Sequence, residues 1–256
     1  MTKDIVRQIL VFLAALITII FNIVANALPL NGLNTGDISD RFKIFFVPAG
    51  YVFSIWGLIY LGLIAYAIYQ VLPAQRENPR LRSIGYLFIL SCAANIAWLY
   101  MWHYEIFSFT LVAMGVLLLT LIAIYLRLDI GRSHVSKGEK WAVHVPFSIY
   151  LGWITVASIA NTTQLLYYLD WNGWGISPEI WTVIMLAAGV VISALMSFTR
   201  ADVAYSLVLV WAYIGIAVMH GETTLVATSA LIAAGLILVI MLVVLVRKYR
   251  SQPDPT

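Results

Sequence analysis

Three stretches of the chain set aromatic and amide side chains at helical spacing. Ser91, Asn95, Trp98 and Trp102 recur at i, i+4, i+7 and i+11, which puts them on one face of a helix. Trp153, Ala157, Asn161 and Gln164 follow a similar spacing, and so do Phe53, Trp56 and Tyr60, while Tyr51 points elsewhere on a regular helix. Aromatic faces stack on flat apolar molecules and carboxamides orient them, so converging stripes of this kind suit a ligand pocket. The same residue types have a structural use. An Asn within an apolar helix bonds to a neighbouring helix, and Trp102, Trp141, Trp171, Trp174 and Trp181, near the ends of apolar runs, read as interfacial anchors.

Other chemistries find little support. None of the apolar runs holds Asp, Glu, Lys, Arg or His near its middle, where ion-coupled transporters place them despite the cost. His103, His134, His144 and His220 lie near run ends without the i, i+4 pairing of a helical metal site. No acid–base pair, phosphate-binding glycine loop or nucleophile elbow occurs. The single cysteine, Cys92, rules out an intrachain disulfide or a cysteine metal site.

The elements that carry the stripes are membrane spans. Of 256 residues, 62% are hydrophobic and 11% charged, with a mean hydropathy of +0.92, against roughly 25% charged in a soluble domain. The net charge of +3 is scattered among short connections, which argues against a nucleic-acid partner. Apolar runs of spanning length fall near residues 6–28, 48–72, 84–102, 106–126, 142–164, 178–198, 203–219 and 223–246, the seventh being the shortest. This predicts an all-α membrane protein of about eight helices.

With odd helices running outward, Lys3, Arg7, Arg76, Arg80, Arg82, Arg127, Arg132, Lys137, Lys140, Arg200, Arg247, Lys248 and Arg250 fall inside, and only Arg41 and Lys43 outside. The positive-inside rule then places both termini in the cytoplasm. The stripes on the second, third and fifth spans converge in the outer leaflet beneath the long connection 29–47, either a lid or a slack loop. Residues 251–256 read as a disordered tail.

The residues of the stripes also resemble a known family. Val47-Pro48-Ala49-Gly50-Tyr51-Val52-Phe53-Ser54-Ile55-Trp56-Gly57-Leu58-Ile59-Tyr60 looks like the Pro-Pro-x-Trp-Val-x-x-x-x-Trp-x-x-x-Tyr signature that opens the second helix of tryptophan-rich sensory proteins (TspO, or translocator proteins). Asn95-Ile96-Ala97-Trp98 resembles their third-helix Asn-x-x-Trp, and Trp153 through Ala157 to Asn161 their fifth-helix Trp-x-x-x-Ala-x-x-x-Asn. Val47, Gly50 and Ser54 depart from the first signature, and Pro146 lies farther upstream of Trp153 than the usual proline.

The resemblance covers about residues 1–170. It implies a five-helix membrane domain there, where typical members stop, and the apolar runs of this chain add a three-helix segment over 171–250. It also implies a multi-pass protein of the bacterial inner membrane that binds porphyrin, haem or sterol-like molecules, with Trp56, Tyr60, Asn95, Trp98, Trp153, Ala157, Asn161 and Tyr51 as the ligand residues. No cofactor or metal is required, and porphyrin or haem enters as ligand. A sensory or transport role comes first. Light-dependent porphyrin breakdown and a purely structural role are the alternatives. Ala230 and Ala234, four residues apart, suit close helix contact and make the last three spans a packing or oligomerisation module, with a homodimer among the expected partners.

The topology can be checked directly. In a Cys92→Ser background, cysteines at Asn34 and Asn172 should react with an impermeant thiol reagent on intact cells, and one at Ser136 should not. Labelling at Ser136 without permeabilisation would invert the orientation.

Overall fold

The computed structural model describes residues 2–28 and 30–250, so the expectation of a disordered tail at 251–256 lies outside the described residues. All regular structure among them is helical. The main helices are α1 (Thr2–Ala27), α2 (Ile55–Val71), α3 (Pro79–His103), α4 (Phe107–Arg127), α5 (Val145–Tyr168), α6 (Pro178–Arg200), α7 (Val203–Met219) and α8 (Thr224–Arg250). Seven of them, taken with the short helical turns that precede α2 and α5, are long and apolar enough to cross a membrane. The exception is α7, whose 17 residues extend about 26 Å at the α-helical rise, slightly under a bilayer core of about 30 Å. The chain is thus an all-α, multi-pass integral membrane protein.

Local chemistry fixes the helix starts. Asn78, Ser177 and Asp202 each accept a backbone N–H of the first turn of α3, α6 and α7, and Pro79 and Pro178 occupy positions where no N–H is needed. Before α5, a π-helical turn over Lys140–His144 lies just ahead of Pro146, whose ring cannot sit against an i−4 carbonyl in a regular helix.

The described chain divides into two compact units, Met1–Ile44 with Ser54–Trp171, and Phe45–Phe53 with Asn172–Thr256. In the first, neighbouring helices form a closed ring in the order α1, α2, α5, α4, α3. α1 turns one stripe inward, Gln8, Val11, Ala15, Thr18, Asn22 and Ala25. Gln8 and Gln70 exchange side-chain N–H bonds to each other's backbone carbonyls. Tyr66, Phe88 and Phe147 join α2, α3 and α5 in edge-on contacts 4.9–5.9 Å between centroids. At the lysine- and arginine-rich end, Arg82 grips Asp4 at 2.7 and 2.8 Å and Arg80 grips Glu139 at 2.6 and 2.9 Å, each through two parallel bonds.

In the second unit α8 packs on both α6 and α7, burying Val226, Ala230, Ala233, Ala234, Ile237 and Met241. The small residues singled out in the sequence are therefore used within this unit. Ser193 and Ser197 of α6 both meet Ser206 of α7, at 3.1 and 3.2 Å.

Residues 48–54 depart from the expected start of the second span. They form a 3₁₀ turn over Gly50–Ser54, and regular helix begins only at Ile55. The backbone is diverted by the second unit. Ala49 N–H donates to the Gly215 carbonyl at 3.1 Å, and the Trp211 indole N–H donates to the Val52 carbonyl at 3.1 Å. Gly215 is what permits this approach, since a Cβ there would lie 2.2 Å from Val52 Cγ2.

α2 tests close helix contact within the first unit. A Cβ on Gly62 would fall 2.9 Å from Pro146 Cβ, whereas one on Gly57 would meet nothing within 4 Å. Gly62→Ala should destabilise by about 1–3 kcal/mol through overpacking against a rigid ring. Gly57→Ala should be neutral or stabilising by up to about 1 kcal/mol. Melting of the two purified variants reads the difference, and equal melting temperatures would refute the close contact.

Candidate functional site

The stripes of α2, α3 and α5 meet inside the first unit, through two aromatic groups and two amides. The first group surrounds Trp56. Its ring stacks on Tyr60, one turn on, at 5.7 Å and 24°, and meets Tyr150 and Trp153 of α5 edge-on at 6.1 and 6.3 Å. Pro146, Tyr150 and Trp153 share a face of α5 by their spacing, and this face lies against α2, from Gly62 at Pro146 to Trp56 at Trp153. Trp153 is buried, while Trp56, Tyr60 and Ala157 are half-buried. Part of each of those three side chains remains accessible.

The second group lies at the far end of α3 from Arg80 and Arg82. Trp98 stacks on Trp102 at 5.6 Å and 17°. Phe107 meets Trp102 edge-on, and Phe42 lies against both. Trp102 was expected in the interfacial belt, yet it is 2% exposed. The cause is the connection ahead of α2, whose Thr35 carbonyl accepts the Trp102 indole N–H at 3.2 Å. Trp141 and Trp174, 68% and 76% exposed, do suit the belt.

Both asparagines are buried and bonded at both ends. Asn95, 1% exposed, accepts from Asn22 Nδ2 of α1 at 2.8 Å and donates to the Tyr150 hydroxyl of α5 at 3.2 Å. Asn161, 2% exposed, accepts the Trp98 indole N–H at 3.2 Å and donates to Thr110 Oγ1 of α4 at 3.0 Å. Of the two uses weighed for these amides, the observed bonds are interhelical. Asn22, Tyr150 and Thr110 were missed as partners, although Asn22 carries a signal, a carboxamide deep in the apolar run of α1 on the side that also bears Gln8, Ala15 and Thr18.

The connection over residues 30–44 is tied to the ends of α3 and α5. His103, fully buried, faces the Leu30 carbonyl with Nδ1 at 3.2 Å and the Thr35 hydroxyl with Nε2 at 3.0 Å. The carbonyl can only accept, so Nδ1 carries the hydrogen. Asn31, at a left-handed φ of 54° that Asn tolerates, donates to the His103 carbonyl at 3.1 Å. Gln164 reaches the Ser39 hydroxyl at 3.3 Å, and Arg41 pairs with Glu105 at 2.6 Å. Ser91 spends its hydroxyl on the Phe88 carbonyl of its own helix.

Tyr51 is the candidate that falls elsewhere. It is exposed and lies edge-on to Trp211 at 5.3 Å, within the second unit. The 3₁₀ turn and the bonds from Trp211 and Gly215 put its segment there. Along the same side of the second unit, Phe46 meets Tyr213 at 6.3 Å and Phe45 meets His220 at 5.3 Å. Burial holds the His220 imidazole below its ordinary pKa, partly offset by a hydrogen bond with the backbone of Val47.

Among the described residues no group of His, Cys, Asp and Glu is placed to hold a metal ion. What the arrangement offers is aromatic surface, with Asn95 and Asn161 engaged between helices. No curated protein and no solved structure matches the chain. A family profile described as TSPO-like protein matches residues 8–243, past the five helices on which the resemblance was read and through most of the three that follow. On that match, over an all-α membrane fold, the chain belongs to the TSPO-like protein family.

Proposed function

We propose that this is a membrane binding protein, with a sensory or transport role, for tetrapyrroles or similarly flat apolar molecules. The observation that carries the reading is the Trp56 cluster. Tyr60 of α2 and Tyr150 and Trp153 of α5 lie with centroids 5.7–6.3 Å from Trp56, and Trp56 and Tyr60 keep part of their surface open. In this reading Trp56, Tyr60 and Trp153 offer faces and edges to the ligand, Ala157 leaves room beside them, and Trp98 extends the aromatic wall. Asn95 and Asn161 hold the helices that carry those rings. The connection over 30–44, latched by His103 and Trp102, covers the outer side. The expected location is a bacterial inner membrane, with porphyrin or haem as the ligand and a second copy of the chain as a partner.

Binding needs no acid–base pair, which ranks it above porphyrin breakdown. Product analysis of illuminated, porphyrin-loaded protein separates the two.

The aromatic site is tested by protoporphyrin titration of the purified protein, followed by quenching of tryptophan fluorescence. Each aromatic contact adds about 0.5–1.5 kcal/mol beyond its buried area, so Trp56→Ala and Trp153→Ala should each weaken binding several fold. Trp171→Ala should bind as the unaltered protein does. Unchanged affinity in all three variants would reduce the cluster to core packing.

Asn95→Leu separates holding from binding. It removes one of the two hydrogen bonds of Asn22 Nδ2, which keeps the Thr18 carbonyl, and strands the Tyr150 hydroxyl, at about 1–3 kcal/mol for a buried polar group left unpaired. The melting temperature should therefore fall clearly, with affinity changing less than in Trp153→Ala. A large loss of affinity at an unchanged melting temperature would make Asn95 a ligand contact.

A further inference from the structure

The end of the first unit that carries Arg7, Arg76, Arg80 and Arg82 contains two guanidinium groups whose needs the protein does not meet. Arg7 on α1 is 4% exposed. Its stem crosses Gly85 of α3, where a Cβ would lie 3.0 and 3.1 Å from Arg7 Cδ and Cγ, so the glycine leaves the groove in which the side chain runs. Arg7 Nη2 donates to the Arg76 carbonyl at 2.9 Å, in the turn between α2 and α3. Its nearest carboxylate, Asp4, stands at 3.7 Å and is gripped at shorter range by Arg82. Arg7 Nε is buried without a hydrogen-bond partner among the described residues, and so is Arg76 Nε.

Two buried donors of the same kind, on residues already joined by a hydrogen bond, point to an acceptor that the chain itself does not supply. The charge balance says the same. Arg82 has Asp4 at 2.7 Å and Glu77 at 3.7 Å, Arg80 has Glu139, and Arg76 has no ion pair among the described residues. Arg7, Arg76 and Arg82 thus face two carboxylates, Asp4 and Glu77, and one positive charge is left over. A guanidinium edge presents parallel N–H groups that match the oxygens of a phosphate. Basic recesses between helices at the cytoplasmic surface are where anionic headgroups are recognised.

We propose that Arg7 and Arg76 form a phosphate-binding site at the basic end of the first unit. The shared chemistry is a phosphate oxygen received by the two Nε–H donors. It can be supplied by the headgroup of an anionic phospholipid or by free phosphate. This site is separate from the aromatic cluster and does not depend on what that cluster binds.

The experiment uses the full chain in detergent, titrated with dioleoyl phosphatidylglycerol, dioleoyl phosphatidylcholine and inorganic phosphate, with bound species counted by native mass spectrometry. Phosphatidylglycerol should bind at least fivefold more tightly than phosphatidylcholine. Arg76→Gln should lose at least fivefold of that affinity, Arg76→Lys, which keeps the charge without the Nε–H, should lose less, and Lys140→Gln should lose none. Competition by inorganic phosphate would extend the site to the free anion, and its absence would assign the site to the lipid. Arg76 is only partly buried, and the melting temperature of lipid-free Arg76→Gln checks its fold. Equal phosphatidylglycerol affinity in Arg76→Gln and the unaltered chain, or no preference over phosphatidylcholine, overturns the proposal.

Discussion

A carboxamide inside a bilayer has no water to fall back on, and the first unit is arranged around how Asn95 is satisfied. Its carbonyl takes a hydrogen from Asn22 of α1 and its amino group gives one to Tyr150 of α5, so one α3 side chain ties three helices. Lipid tails are as apolar as the helix surfaces, so the hydrophobic effect does little to choose neighbours here. Hydrogen bonds and close packing choose them instead. Asn161 repeats the device one layer away, between Trp98 and Thr110, and Gln8 with Gln70 repeats it near the basic end. These bonds tie together the helices of the ring α1, α2, α5, α4, α3.

The amides and the aromatic rings are linked. Tyr150 hydrogen-bonds to Asn95 with its hydroxyl and meets Trp56 with its ring edge, so the network that orders the helices also orients the rings. Trp98 does the same between Asn161 and Trp102. Tryptophan and tyrosine suit this double use because each has an apolar body and a single polar tip.

Much of this was legible in the sequence because it depends on period. The spans, the three stripes and the identity of Trp56, Asn95, Trp153 and Asn161 as inward-facing residues follow from 3.6-residue spacing. Partner choice does not. Asn95 could have faced a ligand or a helix, and nothing in its own helix distinguishes the two. Trp102 sits near a span end and reads as a belt residue, but it is buried because Thr35, 67 residues away, reaches back to it. The delayed start of α2 was hidden for the same reason. Residues 48–54 are apolar enough to continue a span, and what diverts them is Trp211 and Gly215, more than 150 residues later. Nonlocal hydrogen bonds of this kind leave no periodic trace.

The way the amides are used bears on what the proposed site can recognise. Specificity based on hydrogen bonds comes from buried polar groups that the wrong ligand leaves unpaired. Asn95 and Asn161 already have protein partners at both ends of their side chains, so a ligand lacking polar groups strands neither of them. Discrimination must then come from shape, through the angle between the Trp56 and Trp153 rings, 83° in this structure, and from the space beside Ala157. Such a site ranks planar molecules by how much of their faces fits against the rings. It tolerates variation at a ligand's periphery, as expected of a binding protein that serves a class of flat molecules rather than one substrate.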